Sequence, residues 1–203
     1  MATRRSITPR ATARRVAQLT ALQYQLRIEL KRIQPLIWRR VLVPETITLP
    51  KLHLTLQEAM GWTNSHLHQF EINQQSYGML DPDWPDEDPY LDERRVRLKP
   101  FIEAGVRRFS YLYDFGDHWD HVVHVEDLVS PPSSTQKVRC TAGENACPPE
   151  DVGSVPGYFE FLTAIKDPTH EEHQSMLDWI GYPFDPTAFD IHDVNVRLAQ
   201  IKL

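Results

Sequence analysis

Residues 24–30 read YQLRIEL, with Tyr24, Leu26, Ile28 and Leu30 alternating against Gln25, Arg27 and Glu29. Successive side chains on a strand point to opposite faces, so a period of two marks a strand buried on one side only. Gln34-Pro35 marks a turn, and Trp38 to Val43, stopped by Pro44, reads as a second strand. The two form a hairpin. Leu49-Pro50 then opens a helix, with proline at the first helical position, where its missing N–H leaves no bond unmade. Leu52, Leu56, Ala59 and Met60 share one face of it, and Gly61 ends it.

Leu67 to Ile72 is a short strand, followed by a polar turn at residues 73–76 and then Tyr77. Strand, strand, helix, strand, strand predicts an α+β fold: a β-grasp-like mixed sheet with one main helix. Further on, Val96 to Leu98 reads as a short strand and Pro100 to Ala104 as one helical turn. Phe109 to Phe115 and Trp119 to Val125 form a hairpin about Gly116-Asp117. Residues 129–156 read as an ordered surface loop. Helices follow. Tyr158, Phe159, Phe161, Leu162 and Ile165 make an apolar stripe. Thr169 to Glu172 has the spacing of a capping box for a helix presenting Met176, Leu177 and Ile180, and Asp190 caps a last helix through Ile201. The expected organisation is a tail over residues 1–21 and one domain over 22–203, divided into a sheet core (22–128), the loop (129–156) and a helical part (157–203) packed on the sheet.

Composition sets limits. The 203 residues are 41% hydrophobic and carry a net charge of −6, which suits one globular body. No run of about 18 apolar residues is present, so no spanning helix is expected. Two cysteines fit a reducing, cytoplasmic setting. Residues 1–40 hold ten Lys/Arg against one acid, whereas the remainder holds twelve against 27. The acidic body argues against a broad nucleic-acid surface. The basic tail, MATRRSITPRATARRVAQLTA, can still touch nucleic acid or anionic lipid, and its Arg-rich, acid-free composition reads as a disordered leader or a transit peptide. A local basic face from Arg39, Arg40, Arg94, Arg95, Arg107 and Arg108 would be the other route to nucleic acid.

Several segments together resemble a known family: YQLRIEL and IWRRVLVP, LHLTLQEAMGWTNSHLHQFEI, YDFGDHWDHVVHVE, RCTAGENACPPEDVGSVPGYFEFL and MLDWIGYPFDPTAFDIHDVN. They are similar to the plasmid pRiA Orf-three-like family, over about residues 24–203. Its members are often labelled mobile-element passenger or TnpR-like proteins, and the resemblance implies a bacterial, uncharacterised protein. The resolvase in that label finds no support here: no nucleophilic serine is read within an Arg cluster, and no C-terminal helix-turn-helix. The family pattern GExxCPPEDCGG has a cysteine where this chain has Val152, which takes one ligand from any cysteine-based site.

Three groups of residues can carry chemistry. His66 and His68, two apart, would share a strand face and could hold a metal together. Asp117 and His121 lie on the Asp114–His124 segment, and Asp/His sets of this kind suit zinc, manganese or iron. Convergence of His66, His68, Asp117 and His121 would make a mixed site able to activate water. The competing reading makes Asp114 to Asp117 a turn whose carboxylates bond backbone N–H groups. Cys140 and Cys147 are read as buried small side chains, with a structural metal or a redox pair as alternatives. Among the aromatics, Trp38 and Phe115 are assigned to the core, while Trp84 and Trp119, with Glu150 and Asp151, are candidate contacts for a protein or peptide partner. With no complete catalytic set in the sequence, the leading expectation is a non-enzymatic binding or adaptor module. A metal-dependent hydrolase and a nucleic-acid accessory protein are the alternatives.

Overall fold

The computed structural model describes residues 22–80, 90–130 and 137–203. The expectations for the basic tail, for Trp84 and for most of the acidic stretch around it lie outside these residues.

The alternation in residues 24–30 places Tyr24, Leu26, Ile28 and Leu30 on the inner face of β1 (Gln23–Leu30), none more than 3% exposed. β2 (Trp38–Pro44) returns antiparallel, pairing Leu26 with Val41 and Ile28 with Arg39. The sheet has eight strands in the order β5-β4-β3-β6-β7-β1-β2-β8. The others are β3 (His68–Ile72), β4 (Gln75–Gly78), β5 (Leu91–Asp92), β6 (Arg108–Tyr113), β7 (Trp119–Val129) and β8 (Arg139–Glu144). All pairs are antiparallel except β4 with β5. The strand–strand–helix–strand–strand order holds, but β3 reaches β1 only through β6 and β7. The fold is therefore α+β with a mixed sheet, in which the hairpin of β6 and β7 lies between the first and second strand pairs.

Helix α1 (Leu49–Met60) lies on the inner face, with proline in its first turn and Gly61 ending it at φ 99°. Its Leu49, Leu52, Leu56, Ala59 and Met60 are buried against the sheet. α2 (Lys99–Glu103) is the expected single turn, while Val96 to Leu98 form no strand and contribute only an isolated bridge from Arg97 to Thr48. α3 (Ser154–Lys166) buries Tyr158, Phe161 and Ala164. It packs on α4 (His173–Ile180), and α5 (Ile191–Leu198) packs on α1 and β8. Asp190 caps α5 as expected, accepting from the N–H groups of His192 and Asp193.

Five further expectations are corrected. The segment read as a loop contains β8. The capping box does not form, because the Thr169 hydroxyl bonds Asp167 and α4 begins later, at His173. Phe115 is 42% exposed at a turn rather than in the core. Arg39 is 3% exposed and takes no part in a basic face. Trp38 is half-buried on the outer face, with the Arg27 guanidinium 4.3 Å from its ring centroid.

Two interactions lock the β2–β8 side. The Arg39 guanidinium donates to the carbonyl oxygens of Ala59, Trp38, Glu144 and Asn145 at 2.8–2.9 Å. On the free edge of β8, Asn195 of α5 accepts from the Cys140 N–H (2.9 Å) and donates to the Cys140 carbonyl (3.0 Å). Replacing Arg39 with Met keeps the bulk and strands four carbonyls. We expect a loss of about 3 kcal/mol in urea unfolding at unchanged m. A loss below about 0.5 kcal/mol would mean that those carbonyls find other donors.

Candidate functional site

The loop from Trp62 to Leu67 leads from α1 into β3, and two sets of hydrogen bonds fix it. The first is a closed ring. Gln57 Nε2 donates to the Tyr111 hydroxyl (3.0 Å), which lies 2.8 Å from His53 Nδ1. His53 Nε2 lies 2.6 Å from Asn64 Oδ1, and the Asn64 N–H returns to Gln57 Oε1 (3.0 Å). Burial pushes the Tyr111 pKa far up, so its hydroxyl keeps its proton and gives it to Nδ1. His53 then donates through Nε2. The second set centres on Tyr113, whose hydroxyl accepts from the Ser65 N–H and donates to Glu150 Oε1, both at 3.0 Å. Burial first, then Glu150, raise the Tyr113 pKa, which keeps it a donor.

This frame presents His66. Its Nε2 lies 3.2 Å from Asp151 Oδ1, 3.7 Å from Asp114 Oδ2 and 3.9 Å from Glu150 Oε2. One donor atom from each of His66, Asp114 and Asp151 lies within 4.8 Å of the other two. The partners of each carboxylate leave one oxygen over. Asp114 Oδ1 accepts from the Gly116 N–H, and Glu150 Oε1 accepts from the Thr63 N–H, the Thr63 hydroxyl and Tyr113. His66 Nε2 and Glu150 Oε2 are buried and have no hydrogen-bond partner among the described residues. No Lys or Arg pairs with the three carboxylates among those residues.

Donor atoms around a tetrahedral metal with bonds of about 2.0–2.2 Å stand about 3.3–3.6 Å apart. The separations around His66 Nε2 bracket that range. One imidazole with carboxylates suits zinc, manganese or iron. His66, Asp114 and Asp151 could thus hold such an ion, with Asp151 exposed and the Glu150 Oε2 atom beside it.

The four residues expected to converge separate in the structure. His66 precedes β3 and joins the carboxylates. His68, on β3, points inward, where Nε2 faces both oxygens of Glu93 at 3.0 and 3.1 Å and the ring stacks on His53 at 3.5 Å. Asp117 Oδ2 accepts from the Gly153 N–H (3.1 Å). His121 is fully buried, with Nδ1 3.2 Å from the Tyr111 carbonyl and its ring edge-on to Trp62. Trp119, a candidate partner contact, is 0% exposed and packs in the core. Glu150 belongs to the cluster rather than to a free acidic loop. Asp114, expected only as a turn residue, keeps that role through Oδ1 and turns Oδ2 towards His66. The framework of His53, Gln57 and Tyr111 is not among the expectations drawn from the sequence. Its signal is two polar residues four apart beside the apolar stripe of α1, where only a partner makes burial tolerable.

Fold and cluster together define an α+β protein with an open His/carboxylate group between one end of the sheet and the start of α3. The family model described as plasmid pRiA4b ORF-3-like protein matches residues 22–193, and the chain belongs to that family. It is 40% identical over 185 residues to the uncharacterised protein y4hQ of Sinorhizobium fredii, spanning 90% of this chain and 94% of that one. It also resembles the crystal structure of a protein of unknown function from Methanosarcina mazei. The TM-score there is 0.76 at 36% identity, over 85% of this chain and 97% of the other. Among the described residues no helix is long and apolar enough to cross a membrane.

The buried histidines make stability depend on pH. Desolvation lowers the His53 pKa to about 3 and the His121 pKa to about 4, against about 6.5 in an unfolded chain. Below that value the unfolded chain takes up protons that the native protein refuses. The stability these groups contribute is thus complete above about pH 7 and is lost as pH falls from 6.5 towards 4. Each histidine adds a slope of up to about 1.4 kcal/mol per pH unit. Urea unfolding between pH 7.5 and 4.5 should therefore give a shallower decline for His121→Gln, by about one proton. Equal slopes would show that His121 titrates normally.

Proposed function

We propose that the chain is a metal-dependent hydrolase, with His66, Asp114 and Asp151 as ligands and Glu150 as general base. The observation that carries this reading is the unpartnered, buried His66 Nε2, ringed by carboxylate oxygens at 3.2–3.9 Å. Three protein ligands with an open position are the arrangement of catalytic rather than structural sites. A zinc, manganese or iron ion bound there would supply a water of lowered pKa and polarise the substrate oxygen. Glu150 is held through Oε1 by three donors, which aims Oε2 at the cluster. It would accept the proton as the water oxygen bonds to the substrate's acyl carbon or phosphorus, and would return it to the leaving group as the bond between that centre and the leaving group breaks.

A second reading, a non-enzymatic binding or adaptor module for a protein or peptide, draws on exposed aromatic surface. Trp179 is 47% and Tyr182 55% exposed on the helical part. A cytoplasmic setting is part of both readings: Cys140 and Cys147 are free and buried, and burial raises the Cys147 pKa to about 11. An association with mobile elements draws on the plasmid in the family's description alone.

Metal analysis of untagged protein, with assays on activated esters and phosphoesters, separates the roles. We expect about one divalent ion per chain, lost in Asp114→Asn, and retention of the ion in Glu150→Gln with turnover down at least 100-fold, the loss of a general base being worth 10²–10⁴. A protein that takes up no divalent ion would overturn the reading in favour of the binding module.

A further inference from the structure

The concavities differ in what they adjoin. One, about 840 Å³, lies against Phe159, Leu162 and Pro186 on one side of α3 and includes none of His66, Asp114, Glu150 and Asp151. A second, about 570 Å³ and lined by Glu45, Lys99, Glu103 and Arg107, stands off the site as well. A third, about 350 Å³, runs between α3 and α4. Its walls are Val152, Phe161, Met176 and Trp179, with Ser175 at its side, and it begins at Asp151, one of the three ligands assigned above. Trp179 stands edge-on to Phe161, ring centroids 5.7 Å apart, which gives this groove an aromatic corner. Gly157 lines it too, and a Cβ there would come within 2.1 Å of the Val152 carbonyl oxygen, so the backbone turn entering α3 admits no side chain.

We infer that the α3–α4 groove is the specificity pocket of the metal centre and seats an apolar acyl or aryl group of the substrate, whose reacting end lies on the ion. This rests on the hydrolase reading. The juxtaposition of Asp151 with Val152 in consecutive positions carries it: a ligand oxygen and the first apolar wall residue belong to one short turn. A molecule held by the ion has its remainder directed along that turn or into solvent. The volume suits a group of benzene to naphthalene size, at the small end of ligand sites. The only charge on the groove lining besides Asp151 is Glu160. That carboxylate disfavours a second anionic group on the substrate, so the class is a monoanionic or neutral ester, amide or phosphoester with one apolar arm. The groove contributes to binding through the arm, and that contribution raises kcat/KM for substrates that carry one.

Hydroxamates test this without requiring turnover, since they chelate zinc through the head group alone. Zinc-loaded protein would be titrated calorimetrically with acetohydroxamate and with phenylacetohydroxamate. The readout is the ratio of the two Kd values in the wild type, in Ser175→Trp, which fills the groove from an exposed position, and in Trp179→Ala, which removes its corner. We expect the aryl arm to tighten binding at least tenfold in the wild type, with the ratio falling towards one in both variants. Tight binding of both compounds with a ratio near one in the wild type overturns the pocket while leaving the centre intact. So does a wild-type ratio that neither variant changes. If zinc-loaded protein binds neither hydroxamate, the open centre itself is wrong, and the pocket falls with it.

Discussion

A buried guanidinium must be surrounded by acceptors, and Arg39 meets that requirement with four main-chain carbonyls from three separate parts of the chain. Removing a cation from water costs several kcal/mol unless its donors are satisfied. The positions of the Arg39 acceptors are thus tightly constrained. Ala59 is the end of α1, Glu144 the end of β8, and Asn145 opens the turn that continues through Cys147 to Asp151. The Trp62 indole fixes the same turn from the other side, donating to the Pro148 carbonyl at 3.0 Å. The residues that deliver Glu150 and Asp151 to His66 are thus held by the same contacts that close the sheet.

Legibility followed whether information was local. In YQLRIEL each residue reports its own face, and β1 could be read directly. β8 (RCTAGE) could not: Cys140 is its only fully buried residue, and it is a strand because β2 and Asn195 satisfy its backbone, with a register shift between Arg40 and Val41 breaking any period. Thr169 shows the reverse error. The spacing to Glu172 is correct for a capping box, but Asp167 offers its hydroxyl a nearer acceptor. At the candidate site, the residue type at His66 was informative and its partners were not. Asp114 lies 48 positions later and Glu150 and Asp151 more than 80, so only the pairing of β3 with β6 and the turn after β8 bring them together.

The backbone around the cluster is unusual. Asn64, Asp114, Asp151 and Ser154 all have φ between 56° and 66°, a left-handed conformation that costs non-glycine residues about 1 kcal/mol or more each. Such conformations persist only where the surroundings over-determine them. Here the determinants are visible: the ring through His53, Gln57 and Tyr111 holds Asn64, and the Gly116 N–H holds Asp114. A rigid core thus imposes on four loop residues a geometry they would not adopt alone, and the result is a convergence of carboxylates that their mutual repulsion opposes.

The amide of Asn195 has a consequence for assembly. A terminal strand with a free row of N–H and C=O groups is a template for another chain. By bonding both the N–H and the C=O of Cys140, Asn195 stands where the next strand's peptide group would stand, and α5 covers the ground beside it. The sheet cannot be lengthened on that side by a neighbour's strand without first peeling α5 away. Growth into fibrils, strand exchange between copies and capture of an extended peptide are all blocked there by one side chain, and anything this protein associates with through β8 has to displace a helix to do so.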